Sequence, residues 1–279
     1  MKVKNETLEL KTPFPDKKFL VYTTNDVYKA LKGLKGYWEP HIMSILKLII
    51  KEDSVCFDLG ANVGLISLFL SYLAKKGQVF AFEPSSTNFF LLKKNKEINN
   101  AENLFIFKLC VYDKTSDFDF FEKNPLTSCS HLVINKNYYF NRKVTCVKLD
   151  EWLVDKDISR VDFLKLDIEG AEIKALNGSL NLIEKFKPDL ILEFNSKALL
   201  ALKEEPIDLF NLLLKIYPKL YLIYPYMDFD SVKLKRVDNF DSFIKTAKKT
   251  RYIYRIKNYI QAELFCTFKD YMFLENNFR

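Results

Sequence analysis

Two rhythms alternate along this chain: short, mostly apolar runs, and longer stretches in which apolar positions recur every three or four residues. The runs fall at residues 55–59, 79–82, 105–109, 161–166 and 190–192. Between them, Leu65, Leu68, Phe69 and Tyr72 share one helical face, as do Phe89, Phe90 and Leu92, and later Ile173 and Leu176. A strand that is apolar throughout is buried on both faces, and strands of this kind separated by helices predict a parallel sheet joined by right-handed crossovers. The expected fold class is therefore α/β: a doubly wound, mostly parallel sheet with helices on both faces.

The flanks depart from this rhythm. An extended entry leads into a helix with Ile42, Ile45, Leu46 and Ile49 on one side, after Glu39 and Pro40. Residues 113–148 turn to Asp- and Phe-rich alternation, a polar stretch and a strand-like VTCVKL, which predicts a hairpin-like excursion close to the site. The expected organisation is an N-terminal extension with its helix (1–50), a core (51–225), and a basic segment (226–279) that completes or decorates the core.

With 279 residues, 48% of them hydrophobic, the chain has material for one large domain core. Its five cysteines are scattered and none forms a C-x-x-C pair, which leads us to expect reduced thiols and a cytoplasmic location. No apolar stretch is long enough to span a bilayer. The net charge of +7 invites a polyanionic partner, but residues 231–257 hold nine basic and two acidic side chains, so the remainder is balanced. That segment suits a solvated face, a grip on RNA through phosphates and stacking, a peripheral contact with an anionic membrane, or the diphosphate of a sugar nucleotide.

Candidate chemistry sits at the carboxyl ends of the apolar runs, where ligands of doubly wound sheets bind. Those ends carry Asp58, Glu83, Asp167 and Glu193. The turn DLGANVG from Asp58 to Gly64 supplies Gly60 and Gly64 for close backbone approach. A dinucleotide would want a second glycine where Asn62 stands, and the carboxylate of Asp58 would repel its pyrophosphate. S-adenosylmethionine carries a cationic ammonium and sulfonium, so an acidic rim favours it. Glu83 is placed to accept from both ribose hydroxyls of either cofactor.

The chain resembles the FkbM-type S-adenosylmethionine-dependent methyltransferases, which are class I methyltransferases. The similarity rests on YWEP (37–40), FDLGANVG (57–64), AFEPS (81–85), KLDEWL (148–153), VDFLKLDIEGAE (161–172) and LEF (192–194). It implies O-methylation of small molecules, often sugars of glycans or natural products. It assigns Asp58, Gly60, Asn62 and Gly64 to the methionine end of the cofactor and Glu83 to the ribose. Cys110 stands near the adenine contact, where many relatives have a small residue.

A hydroxyl is a poor nucleophile, so an acceptor-side base or metal is expected. Asp167, Glu193 and His131 are the catalytic candidates, with Asp167 and Glu193 also candidates for a divalent cation. The expected acceptor is a hydroxyl of a sugar, sugar nucleotide or glycan precursor. Nucleic acid is disfavoured as a partner because Asp167-Ile168-Glu169-Gly170 follows the late strand in place of an N-P-P-Y-like turn. Three alternatives stay open: a ribose methyltransferase acting on RNA, an NAD-dependent oxidoreductase or epimerase of nucleotide sugars, and a non-catalytic binding domain. The sequence leaves room for an oligomer.

Overall fold

The computed structural model of the chain describes residues 6–122, 130–132, 141–225, 229, 232–249 and 259–271. Its centre is an eight-stranded sheet. We number its strands in chain order: β1 (Val55–Leu59), β2 (Gln78–Phe82), β3 (Leu104–Phe107), β4 (Phe163–Leu166), β5 (Asp189–Asn195), β6 (Lys219–Ile223), β7 (Leu234–Arg236) and β8 (Gln261–Thr267). Their order across the sheet is β3-β2-β1-β4-β5-β8-β6-β7. The five strands from β3 to β5 are parallel, and β8 runs antiparallel to both β5 and β6. The chain order reverses between β1 and β4, and at that reversal the helices leave for opposite faces and open a crevice at the strand ends.

Four helices of the first half are named here: α1 (Asn25–Gly33), α2 (Pro40–Ile49), α3 (Leu65–Leu73) and α4 (Ser86–Ile98). Two buried apolar clusters, one on each face of the sheet, hold the layers together. On one face, Phe57, Phe80, Phe82 and Phe107 stack across β1, β2 and β3, with ring centroids 5.0–6.3 Å apart. Trp152 stands edge-on to all four at 5.0–6.1 Å, an arrangement that suits the ring quadrupoles. The KLDEWL motif is thus the lid of an aromatic core. Asp150 in the same motif accepts from the amides of Asn181 and Leu182 and so starts the helix Leu180–Phe186.

Two side-chain amides of α4 tie the N-terminal extension to the core, Asn99 through the amide and carbonyl of Leu20 and Asn95 more deeply. Asn95 of α4, fully buried, donates to the carbonyls of Tyr22 and Val63 and accepts from the amide of Tyr22. Residues after the hairpin Leu8–Lys11/Lys18–Val21 are thereby held against the glycine-bearing turn that follows β1. The excursion forms a separate four-stranded sheet in the order Cys110–Val111, Asn141–Val147, Ser116–Glu122, Ser130–Leu132.

Two expectations change in detail. Glu193 lies inside β5, which continues to Asn195. The third strand ends at Phe107, two residues earlier than its apolar run suggests. The segment after residue 225 contributes β7 and β8, and β8 lies between β5 and β6. Among the described residues, no helix is long and apolar enough to cross a membrane.

Strand β8 is clamped at its far end by Asp189. That buried carboxylate accepts from the Thr267 hydroxyl, from Lys269 Nζ at 2.7 Å and from Tyr271 Oη at 2.6 Å. Asp189→Ala leaves the buried Thr267 hydroxyl and the half-buried Tyr271 hydroxyl without this acceptor and releases the ammonium. The expected loss is about 2–3 kcal/mol in urea-induced unfolding, with amide exchange quickening first in residues 261–267.

Candidate active site

The turn after β1 owes its shape to glycine and asparagine. Gly60, Asn62 and Gly64 all adopt left-handed backbone angles, with φ of +87°, +53° and +89°. A Cβ on Gly60 would lie 1.8 Å from the Asp167 carbonyl oxygen, so the turn after β1 and the exit of β4 pack backbone to backbone. The amides of Gly60 and Ala61 both donate to the carbonyl of Phe82 at the end of β2. Three strand ends therefore meet at one point.

Glu83 completes that junction. One carboxylate oxygen accepts from the amide of Asn62 and the other from the amide of Ser85, each at 2.8 Å. Both oxygens thus brace the turn, and the Asn88 side chain adds a third hydrogen bond to the same carboxylate. Burial pushes the Glu83 carboxyl up to about 7 against the pull of these amides. Asp58 is buried one residue before the end of β1, where one oxygen takes the Ser67 hydroxyl of α3. Its other oxygen is buried and makes no hydrogen bond, and the same holds for Asn62 Oδ1.

The decisive side chain at the centre was absent from the sequence-based candidates. Lys165 of β4 is buried, with its ammonium 2.9 Å from Asp167 Oδ2. Burial alone would lower its pKa, but Asp167, Glu39 and Asp58 together hold it above the ordinary lysine value. Glu39 is the second omission. It precedes α2 in a left-handed conformation, φ +42°, and its Oε2 is buried without a hydrogen bond. Burial raises its carboxyl to about 7, with Lys165 pulling the other way. Trp38, Glu39, Asp58, Gly60, Asn62, Lys165 and Asp167 line one cleft, whose mouth is therefore walled by the N-terminal extension. Both omissions left a trace in the sequence: a lysine inside an otherwise apolar strand, and the YWEP quartet.

On the acceptor side, Asp167 and Glu193 end up beside each other, since Leu166 pairs with Leu192 in the parallel ladder. Each already has one oxygen engaged as an acceptor. Asp167 holds Lys165, and Glu193 accepts from the side-chain amide of Gln261 on β8. Burial, with Asp167 and Glu169 nearby, raises the Glu193 carboxyl well above its usual value. Glu169, φ +54°, is raised to about 8 by burial and by Asp167 and Glu172. Glu172 is fully buried, accepts the amides of Ile168 and Gly170, and closes the turn; burial lifts it to about 7.

Among the described residues, no group of three or more His, Cys, Asp or Glu is arranged to hold a metal ion. With one oxygen on an ammonium and another on an amide, Asp167 and Glu193 do not form the donor set expected of a divalent cation. His131 sits in the strand Ser130–Leu132 opposite Phe121, and its side chain lies outside the described residues. Cys110 is buried in the excursion sheet, paired in register with Cys146, and its thiol is raised by the Cys146 contact and by burial. It packs in a small apolar cluster with Phe120, Val144 and Ala171.

The model of the methyltransferase FkbM domain matches residues 58–215, more than half of the chain. The chain belongs to the FkbM methyltransferase family. Over 168 residues it is 25% identical to hexuronic acid methyltransferase AglP of Haloferax volcanii, spanning 60% of this chain and 66% of that protein. It is 22% identical over 156 residues to 2-O-methyltransferase NoeI of Sinorhizobium fredii, spanning 50% of this chain and 63% of the relative. The chain spans 58–66% of the length of the curated relatives it matches. A crystal structure of methyltransferase FkbM from Methylobacillus flagellatus superposes with a TM-score of 0.45 at 20% identity, covering 67% of this chain and 44% of that one.

The Gly60 contact yields a paired test. Gly60→Ala is expected to cost at least about 3 kcal/mol, because it adds both left-handed strain and a collision with backbone. Gly33→Ala, with nothing within 4 Å of the added Cβ at the end of α1, is expected to be neutral or to gain up to about 1 kcal/mol. Urea unfolding of both variants measures the difference.

Proposed function

We propose that this FkbM-family chain is an S-adenosylmethionine-dependent O-methyltransferase that modifies a hydroxyl of a sugar, sugar nucleotide or glycan precursor. One observation carries the donor side: buried carboxylate and amide oxygens of Glu39, Asp58 and Asn62, without hydrogen bonds of their own, line the glycine-bearing cleft. Such oxygens need donors or positive charge, and a cationic amino-acid cofactor provides both. In this reading Asp58, Gly60, Asn62 and Gly64 hold the methionine end and Glu83 accepts from the ribose while bracing the turn. Cys110 stays a candidate near the adenine. Residues 51–225 form the donor core, 1–50 wall its mouth and 226–279 complete the sheet.

S-adenosylmethionine supplies an electrophilic methyl group on sulfur. The chain supplies orientation and charge. Asp167, fixed by Lys165, is placed to accept a hydrogen bond from the acceptor hydroxyl and align its oxygen, and orientation of this kind is worth several kcal/mol. Glu169, with a carboxyl near neutrality, is suited to take the proton. Glu193, beside Asp167 and holding Gln261, is a further acceptor-side candidate. His131 remains a second proton-acceptor candidate. The name of one relative, a hexuronic acid methyltransferase, supports a carbohydrate acceptor, and that of another, a 2-O-methyltransferase, supports transfer to oxygen.

Incubation with labelled S-adenosylmethionine and a panel of activated sugars, uronic acids and glycan fragments, followed by mass analysis, tests the reading. Label is expected in a carbohydrate hydroxyl; label in RNA or in no member of the panel contradicts it. Asp167→Asn is expected to lower the transfer rate roughly 100-fold or more, read as product formed per enzyme. Glu39 and Glu83 are neutral below about 7 and ionised above it, and only the ionised forms attract a cation. Affinity for S-adenosylmethionine is therefore expected to rise from pH 6 to pH 8, with protons released on binding, in calorimetry repeated in buffers of different ionisation enthalpy.

A further inference from the structure

The acidic donor cleft meets only part of the charge that S-adenosylmethionine brings. Glu39, Asp58 and Asp167 suit its ammonium and sulfonium, yet the same amino-acid end carries a carboxylate, which those acids repel. Lys165 is the one cation among the described residues that line the cleft, and Asp167 already holds it at 2.9 Å. A carboxylate bound here therefore needs further donors, and neutral ones serve.

The opening turn of α1 supplies them. Thr24 occupies the position just before the helix in an extended conformation, φ −68° and ψ 165°, but its side chain makes no capping hydrogen bond. A threonine there ordinarily accepts from an amide of the first turn. Here the Thr24 hydroxyl is buried without a partner, and so is that of Thr23. Val27, whose amide a capping hydroxyl can take, lines the donor cleft. On the other side, Asn95 holds Tyr22 beside Val63, which belongs to the same lining. Thr23 and Thr24 are thus pinned between two points of the cleft wall. The helix is nine residues long, and its dipole adds positive potential at the same place, together with first-turn amides that no helical carbonyl reaches. Asp26, the acidic residue of that turn, is exposed to solvent. Two adjacent buried hydroxyls without partners are costly to the folded chain, and an anion that accepts from both removes the cost.

We propose that the Thr23 and Thr24 hydroxyls, with the amides that open α1, hold the carboxylate of the methionine end of S-adenosylmethionine. This rests on the donor reading above and adds to it residues that precede the family match. The cofactor's two charges are then divided between two walls: carboxylates take the ammonium, and the start of α1 takes the carboxylate.

The test compares, by calorimetry on the whole chain, S-adenosylmethionine with its decarboxylated form, which keeps the ammonium and the sulfonium. Wild type is expected to bind S-adenosylmethionine roughly 10-fold or more tightly than the decarboxylated compound. The double variant Thr23→Val/Thr24→Val is expected to erase that preference by weakening S-adenosylmethionine alone. Thr24→Ser, which keeps a hydroxyl, is expected to retain wild-type affinity. Urea unfolding of the unliganded double variant is expected to show a midpoint no lower than wild type, since the lost hydroxyls have no partner to leave behind. Equal weakening of both compounds, or a lowered midpoint, gives the threonines a structural role and overturns the proposal. Unchanged binding of both also overturns it and leaves the carboxylate to the first turn of α3. Failure of wild type to bind either compound removes the donor reading itself, an outcome distinct from binding that the threonines do not affect.

Discussion

A single buried ammonium, that of Lys165, stands where the turn after β1, the exit of β4 and the start of α2 converge. Asp167 touches it, and Asp58 and Glu39 lie within its field. Carboxylates gathered this closely in a buried cleft repel one another and would be driven to the neutral form. The ammonium offsets that repulsion and keeps the cleft acidic enough to attract a cation. It does not neutralise the cleft, since Asp58 and Glu39 each retain a buried oxygen with no hydrogen bond. A site of this kind is incomplete without a ligand, because unpaired buried oxygens are costly.

The surrounding structure reads as support for that assembly. Glu83 fixes the turn through two amides, and Gly60 lets it touch the backbone of Asp167. Asn95 holds the N-terminal arm against Val63, which brings Trp38 and Glu39 over the cleft. Strand β8 supplies Gln261 to Glu193 from the other end of the chain. Residues far apart in sequence, Trp38 and Glu39 with Lys165 and Asp167, thus wall one cleft, and the segment that precedes the family match is part of its architecture.

Much of the fold was legible because burial on both faces writes itself as short runs that are apolar at almost every position. Strands β1, β2 and β4 and the helix after each follow directly from that pattern. Strand β8 was not legible: an antiparallel strand inserted between β5 and β6 depends on pairing across some seventy residues, and its neighbouring basic residues drew attention to charge instead. In the site, Asp58, Glu83 and Asp167 were legible from their places at strand ends. Lys165 was passed over because a lysine in a strand is usually an exposed one, and its role appears only when three carboxylates converge on it. The metal expectation for Asp167 and Glu193 failed to find support for the same reason: spacing shows that two acids are neighbours, not that Lys165 and Gln261 already occupy them.

The charge of the donor cleft is the claim on which the rest stands. Parallel calorimetric titrations of the purified chain with S-adenosylmethionine and with NAD measure it most directly. Saturable binding of the sulfonium compound at one site, with no heat from NAD beyond dilution, is the result this account predicts. Saturable binding of NAD with none of S-adenosylmethionine would contradict it.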